Sequence, residues 1–104
     1  MKLYEFDRSN SNAFNYYFAK DLKEGDEIIV KMPLVSANKR GINDIGWASN
    51  GDVTLWGTLA KDPKEKNVLW QEILENQDIN KVTSAIKIKN NGGACRIEMR
   101  AIFN

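Results

Sequence analysis

Between residues 83 and 103 two runs of alternating apolar and polar side chains are separated by little more than Asn90-Asn91-Gly92-Gly93. No other feature narrows the fold as much. A side-chain repeat of two belongs to an extended strand with one dry and one wet face. Asn and Gly together accept the positive φ of a tight hairpin turn. In the first run Ile86 and Ile88 share a face, with Lys87 and Lys89 on the other. In the second, Cys95, Ile97, Met99, Ala101 and Phe103 alternate with Arg96, Glu98, Arg100 and Ile102. A hairpin closed at Asn91-Gly92 sets Ile88 opposite Cys95, Ile86 opposite Ile97 and Lys87 opposite Arg96, with Glu98 diagonal to both cations. This register predicts a basic stripe of Lys87, Lys89, Arg96 and Arg100, diluted by Glu98 and Glu72.

The alternation continues upstream, so residues 52–104 read as a four-strand antiparallel meander: DVTLWGTLA, VLWQEIL, TSAIKIK and ACRIEMRAIF. Val53, Leu55 and Leu59 take one face with Gly57, and Thr54, Trp56 and Thr58 the other. In the second piece Leu69 and Ile73 align against Val68, Trp70, Glu72 and Leu74. A helix over 64–77, started by Asp62-Pro63, fits the same residues; the strand is preferred because the segment is short and Asp-Pro also makes a turn.

The first half carries weaker signals of the same kind. KLYEF at 2–6 reads as a short strand, DRSNSN at 7–12 as a loop, and AFNYYFA at 13–19 as an aromatic strand with Phe14, Tyr16 and Phe18 on one face. Lys23-Glu24-Gly25-Asp26 is a turn. The strand that follows, 27–34, puts Ile28, Val30, Met32 and Leu34 opposite Glu27, Ile29, Lys31 and Pro33. Proline has no amide hydrogen for a ladder, so Pro33 marks an edge, a bulge or a strand end. Residues 35–51 break the pattern and read as the main contact loop, with room for a short strand at 42–47. The whole predicts an all-β fold of about eight strands: a two-sheet antiparallel β-sandwich, jelly-roll or immunoglobulin-like, in a single domain.

Composition then removes function classes. The chain of 104 residues has no histidine, so neither a Ser-His-Asp nor a Cys-His arrangement nor an imidazole metal site can be built. No enzyme activity and no cofactor are expected. Fifteen basic against fourteen acidic residues leave +1, which gives no electrostatic reason to expect nucleic acid or a membrane surface as partner. One cysteine forms no internal disulfide, MKLYEFDRSNSN has no signal-peptide core, and no run has membrane-spanning length. These point to a protein made and kept in the cytosol, or assembled there into something larger.

Four groups of residues could carry chemistry. Cys95, in step with Ile97 and Met99, reads as a small buried hydrophobe. Trp47, Trp56 and Trp70 can be core fillers, anchors of a protein interface, or platforms for sugar rings. Asp44, Asn50 and Asp52 stand beside glycines as calcium ligands can, though such residues are also ordinary turn formers. Glu72, Glu75 and Asp78 could supply a carboxylate pair for glycoside cleavage. The interface or ligand-contact set is Trp47, Trp56, Trp70, Arg96 and Arg100, to which Ile102 adds an apolar side chain.

The segments NGDVTLWGTLAKDP, WQEI and AIKIKNNGGACRIEMRAIFN, with YYFAKDLKEGDEIIVKM, resemble in rhythm the small β-sandwich structural and decoration proteins of tailed-bacteriophage virions. The resemblance implies a non-enzymatic role as capsid decoration, cement or head-tail accessory protein. It implies docking on other virion proteins and self-association as a homo-oligomer. The alternative is a carbohydrate-binding module that takes glycans on its surface tryptophans.

Overall fold

Side-chain alternation becomes nine strands in two sheets. The structure, a computed structural model, describes residues 2–8, 15–33, 42–75, 77–80 and 82–103. The strands are β1 (Lys2–Glu5), β2 (Asp7–Arg8), β3 (Asn15–Leu22), β4 (Glu27–Lys31), β5 (Ile42–Ser49), β6 (Val53–Thr58), β7 (Gln71–Ile73), β8 (Ala85–Asn90) and β9 (Cys95–Phe103). They form a five-stranded sheet in the order β1-β4-β8-β6-β7 and a four-stranded sheet in the order β2-β3-β9-β5. All neighbours are antiparallel except β1 and β4. The fold is the expected two-sheet β-sandwich, with nine strands instead of about eight, and no helix among the described residues.

The core lies between the sheets. Ile28, Val30, Leu55, Ile86 and Ile88 from one sheet meet Phe18, Leu22, Cys95, Ile97, Met99 and Ala101 from the other, closed by Phe6, Met32 and Ile79. Cys95 is buried in this cluster as expected. Phe18 is also buried and Tyr17 exposed, as the alternation of the aromatic strand requires. Phe14, Leu34 and the part of the expected contact loop before residue 42 lie outside the described residues.

The hairpin expected at Asn90–Gly93 does not form. β8 pairs with β4 and β6, β9 pairs with β3 and β5, and the two strands lie in different sheets. Ile88 therefore pairs with Ile28 and Leu55, and Cys95 with Leu22. Neither glycine of the link has the positive φ a two-residue hairpin needs; among described residues only Gly25 and Asn67 do. The sequence pattern is silent on this choice. A strand with one dry face shows the same alternation whether its apolar neighbour lies beside it or across the core. The basic stripe dissolves with the hairpin: Lys87 and Lys89 sit on one outer face of the sandwich, Arg96 and Arg100 on the other. The meander fails for the same reason, because β6 lies between β7 and β8.

Three links that cross between the sheets gather at one end: 23–26, 50–52 and 91–94. Asn90, fully buried, ties them together. Its Nδ2 donates to the carbonyls of Lys23 (3.0 Å), Gly93 (3.0 Å) and, at 3.4 Å, Leu22, while its Oδ1 accepts from the Gly92 amide at 3.1 Å. Its backbone accepts from Gly25 N and donates to Asp26 O. Asn91 reaches the third link, donating from its amide to Asp52 O and from Nδ2 to Thr54 Oγ1 at 2.8 Å. Gly51 completes the junction: a Cβ there would lie 2.5 Å from Cys95 Cβ, so only glycine fits.

Three further expectations change. Residues 42–49 form a full edge strand, where a loop with at most a short strand was expected. The 64–77 segment holds only the strand Gln71–Ile73, and Asp62-Pro63 opens a turn in which Asp62 Oδ1 accepts from the Lys64 amide at 3.0 Å. Leu59 and Leu69, set by alternation on the faces of Leu55 and Ile73, are 61% and 86% exposed because β6 ends at Thr58 and β7 starts at Gln71.

Two substitutions test the junction. Asn90→Ala leaves the carbonyls of Lys23 and Gly93 without their buried donor and is expected to cost about 1–3 kcal/mol in urea unfolding. Gly51→Ala forces the 50–52 link away from Cys95 and is expected to cost about 1–3 kcal/mol by overpacking. A midpoint equal to that of the parent protein in either variant contradicts the junction.

Candidate interaction surface

The outer face of the five-stranded sheet carries the row Leu3–Ile29–Lys87–Trp56–Glu72, one residue from each strand. Lys87 Nζ lies 4.8 Å from the Trp56 ring centroid and 5.0 Å from that of Trp70. Trp70 precedes β7, so this contact draws the end of the 59–70 connection over the sheet. The ammonium stands between two negative ring faces and keeps both half-buried rings in place. Two of the tryptophans singled out in the sequence thus come together. Their shared cation gives them a structural task, and each gives a ring face to it instead of to an open platform.

Trp47 stands apart. It lies on β5 opposite Met99, half-buried against the core. It also lines a lateral cleft of about 510 Å³ between the edge strands β5 and β7, with Val53 and Ile73 behind it and Asp52, Glu72 and Glu75 on the walls. Asp78 borders a different depression. Among the described residues no three acidic or thiol side chains group to hold a metal ion. Asn50 of the calcium-like set is engaged otherwise: its Oδ1 accepts from the Arg96 amide at 2.9 Å.

Arg96 and Arg100 occupy the outer face of the four-stranded sheet. Arg96 donates through Nη1 to Asp21 Oδ1 at 3.1 Å and through Nε to Glu98 Oε1 at 3.3 Å. These bonds, that to Asp21 first, hold the guanidinium above its ordinary pKa. Both pairs are solvent-exposed, so their worth is small. Arg100 pairs with Tyr17 on one side and Gly46 on the other. Of the five residues expected to make contacts, Trp56 and Trp70 therefore meet at Lys87, while Trp47, Arg96 and Arg100 border one shallow depression on the four-stranded sheet.

The feature that sequence reasoning missed is apolar. Leu59, Leu69, Leu74 and Val82 are all 61% exposed or more, and all belong to the connections on either side of β7. Leu59 and Leu69 border one depression of about 520 Å³, shared with Ala60, Ile73 and Thr83. Leu59 and Leu69 thus form an exposed aliphatic pair at one depression, whereas Leu74 borders the lateral cleft with Trp47. The only signal in the sequence was the position of strand ends, which alternation alone does not mark.

No family model, curated protein or solved structure matches this chain. The functional reading therefore rests on surface chemistry.

The Lys87 cluster yields a test. Lys87→Met removes the shared cation while keeping the length of the side chain, and is expected to lower stability by about 0.5–2 kcal/mol and to shift tryptophan emission. Lys87→Arg retains most of both. Identical stability and emission in Lys87→Met would show that the rings hold without the ammonium.

Proposed function

We propose that this protein is a non-enzymatic structural component of a tailed-bacteriophage virion, a decoration, cement or head-tail accessory protein that docks on other virion proteins. The observation that carries the reading is the exposed aliphatic set Leu59, Leu69, Leu74 and Val82. Exposed aliphatic area costs solubility in a free monomer and is used when another protein covers it. The sandwich is suited to such a role, because its rigid sheets hold the 59–70 and 74–84 connections in fixed relation. The resemblance of 52–104 to small virion sandwiches supplies the setting.

Carbohydrate binding is the second reading, favoured by the lateral cleft. There a half-buried tryptophan stands beside three carboxylates able to accept from sugar hydroxyls. Trp56 and Trp70, with Lys87 between them, suit it less.

Co-purification with particles separates the two. Leu59→Ser and Leu69→Ser are each expected to weaken attachment about tenfold, the scale of a 1.4 kcal/mol contact. Exposed positions such as these change folding stability by no more than about 0.5 kcal/mol. Absence from virions, or attachment indifferent to both substitutions, overturns the structural reading. Glycan-array binding abolished by Trp47→Ala would replace it with the second.

A further inference from the structure

Each sheet of an open sandwich ends in edge strands whose outward amides and carbonyls have no ladder partner, and a long regular edge is a template for another strand. Three of the four edges here are short: β2 has two residues, β7 three, and β1 four. β5 is the exception. It runs for eight residues, Ile42–Ser49, with no proline and no lysine, and among the described residues nothing pairs with its outer side.

Which backbone groups point outward follows from the ladder. Asn50 N donates to Arg96 O at 3.4 Å, and Ser49 pairs with Ile97. In an antiparallel ladder the hydrogen-bonding direction alternates residue by residue. Asp44, Gly46 and Ala48 therefore bond toward β9, while Ile45, Trp47 and Ser49 aim their amides and carbonyls at the free side. A bulge between Ile42 and Asp44 limits the regular edge to residue 44 onward.

We infer that β5 pairs antiparallel with β5 of a second copy of this chain, about a two-fold axis at Trp47. The pairing joins two four-stranded sheets into one. Trp47 then faces Trp47 of the partner subunit, and Ile45 faces Ser49 of the partner subunit. Both are hydrogen-bonded pairs, because all these residues present outward backbone groups. On the outer face Gly46 lies against Ala48 of the partner subunit.

Charge selects this register. Asp44 falls beside Asn50 of the partner subunit, two strand spacings (about 9.6 Å) from the partner subunit's Arg96. Arg100, next to Gly46, stands three strand spacings (about 14 Å) from the partner subunit's Glu98, with two small residues between them. A two-fold at Gly46 would instead set Asp44 beside Ala48 of the partner subunit and toward the partner subunit's Glu98, like charge to like. A two-fold at Ile45 runs into the bulge almost at once. The chosen register also puts two tryptophans, the residue type most enriched among interface anchors, on the axis of an isologous contact.

The inference extends the assembly reading to a defined self-contact, and its site is separate from the Leu59–Leu69 surface. Gly46→Cys and Ala48→Cys test it. A Cβ at Gly46 meets nothing within 4 Å, Ala48 is exposed, and the single native thiol, Cys95, is buried. Across a non-hydrogen-bonded pair the Cα atoms stand about 4.5 Å apart, within disulfide reach. Light scattering on the parent protein is expected to give twice the 11.8 kDa chain mass. Under mild oxidation, covalent dimer is expected in a mixture of the two variants and not in either alone. A monomer at all concentrations, crosslinking of Gly46→Cys with itself, or no crosslink in the mixture overturns the inference. Virion attachment that survives a monomeric result would leave the docking reading standing, and a dimer that never joins particles would do the reverse.

Discussion

Asn90 is where the two sheets are told how to sit on each other. A side-chain amide with no exposure to water must find its partners inside the protein, or the chain loses the full desolvation penalty of the group. Here the partners are main-chain carbonyls of the 23–26 link and of the 91–94 link, and those links carry the chain between sheets. Satisfying one amide therefore fixes two crossings together. Asn91 extends the tie to the third crossing through Asp52 and Thr54. Hydrophobic burial drives the sheets together but has no direction. The amide supplies the direction, and the close approach of Gly51 to Cys95 sets how near the third link can come.

The surfaces follow from that arrangement. With the short crossings at one end, the long connection 59–70 belongs to the other, while 74–84 leaves β7 beside Thr54 and rejoins the sheet at Ala85, opposite Thr58, at that far end. There Ser84 accepts from Met32 N and its own amide donates to Thr58 O, so the core is sealed by backbone at the point where the first excursion leaves and the second returns. Outside that seal the aliphatic side chains Leu59, Leu69 and Val82 have no core to enter. Lys87 then restrains the end of the first excursion by holding Trp70 beside Trp56. The exposed apolar residues are thus mounted on a braced support, which is the condition a docking surface needs if binding is not to lose affinity to loop ordering.

How much of this was legible beforehand depended on what alternation encodes. Period two identified β6, β8 and β9 and the inward set Leu55, Ile86, Ile88, Cys95, Ile97 and Met99, because each side chain's face follows from its parity alone. It could not tell a neighbour in the same sheet from one across the core, so Asn90–Gly93 read as a hairpin and Lys87 was set beside Arg96. Buried Asn90 itself looked like a turn former; its role appears only when Lys23, sixty-seven positions away, is brought to it. Leu59 and Leu69 fitted the inward parity of their segments, but parity has no meaning beyond a strand's end, and no residue there marks the end sharply. β5 was hidden by its glycine and polar residues, which resemble a loop in isolation and a small-residue edge strand once β9 is alongside. The candidate site was less legible than the fold: Trp56 and Trp70 were named without the lysine that joins them, and the aliphatic surface was not named at all.

The small side chains of β5 connect these points. Gly46 and Ala48 leave the outer face beside Arg100 and Glu98 uncrowded, so those charges can project over the strand instead of standing above it. An edge meant to repel other strands would place a lysine or a proline there. This one carries a single charged residue, Asp44, at the start of its regular stretch, places the other charged groups one strand further in, and has its tryptophan on the opposite face, against the core. The bulge near Ile42 bends only the start of the strand and leaves the stretch from Asp44 onward regular. A regular edge of small residues flanked by opposite charges rewards one register of pairing and penalises its neighbours. That selectivity distinguishes an assembly contact from an aggregation hazard, and it arises from the same alternation that built the core.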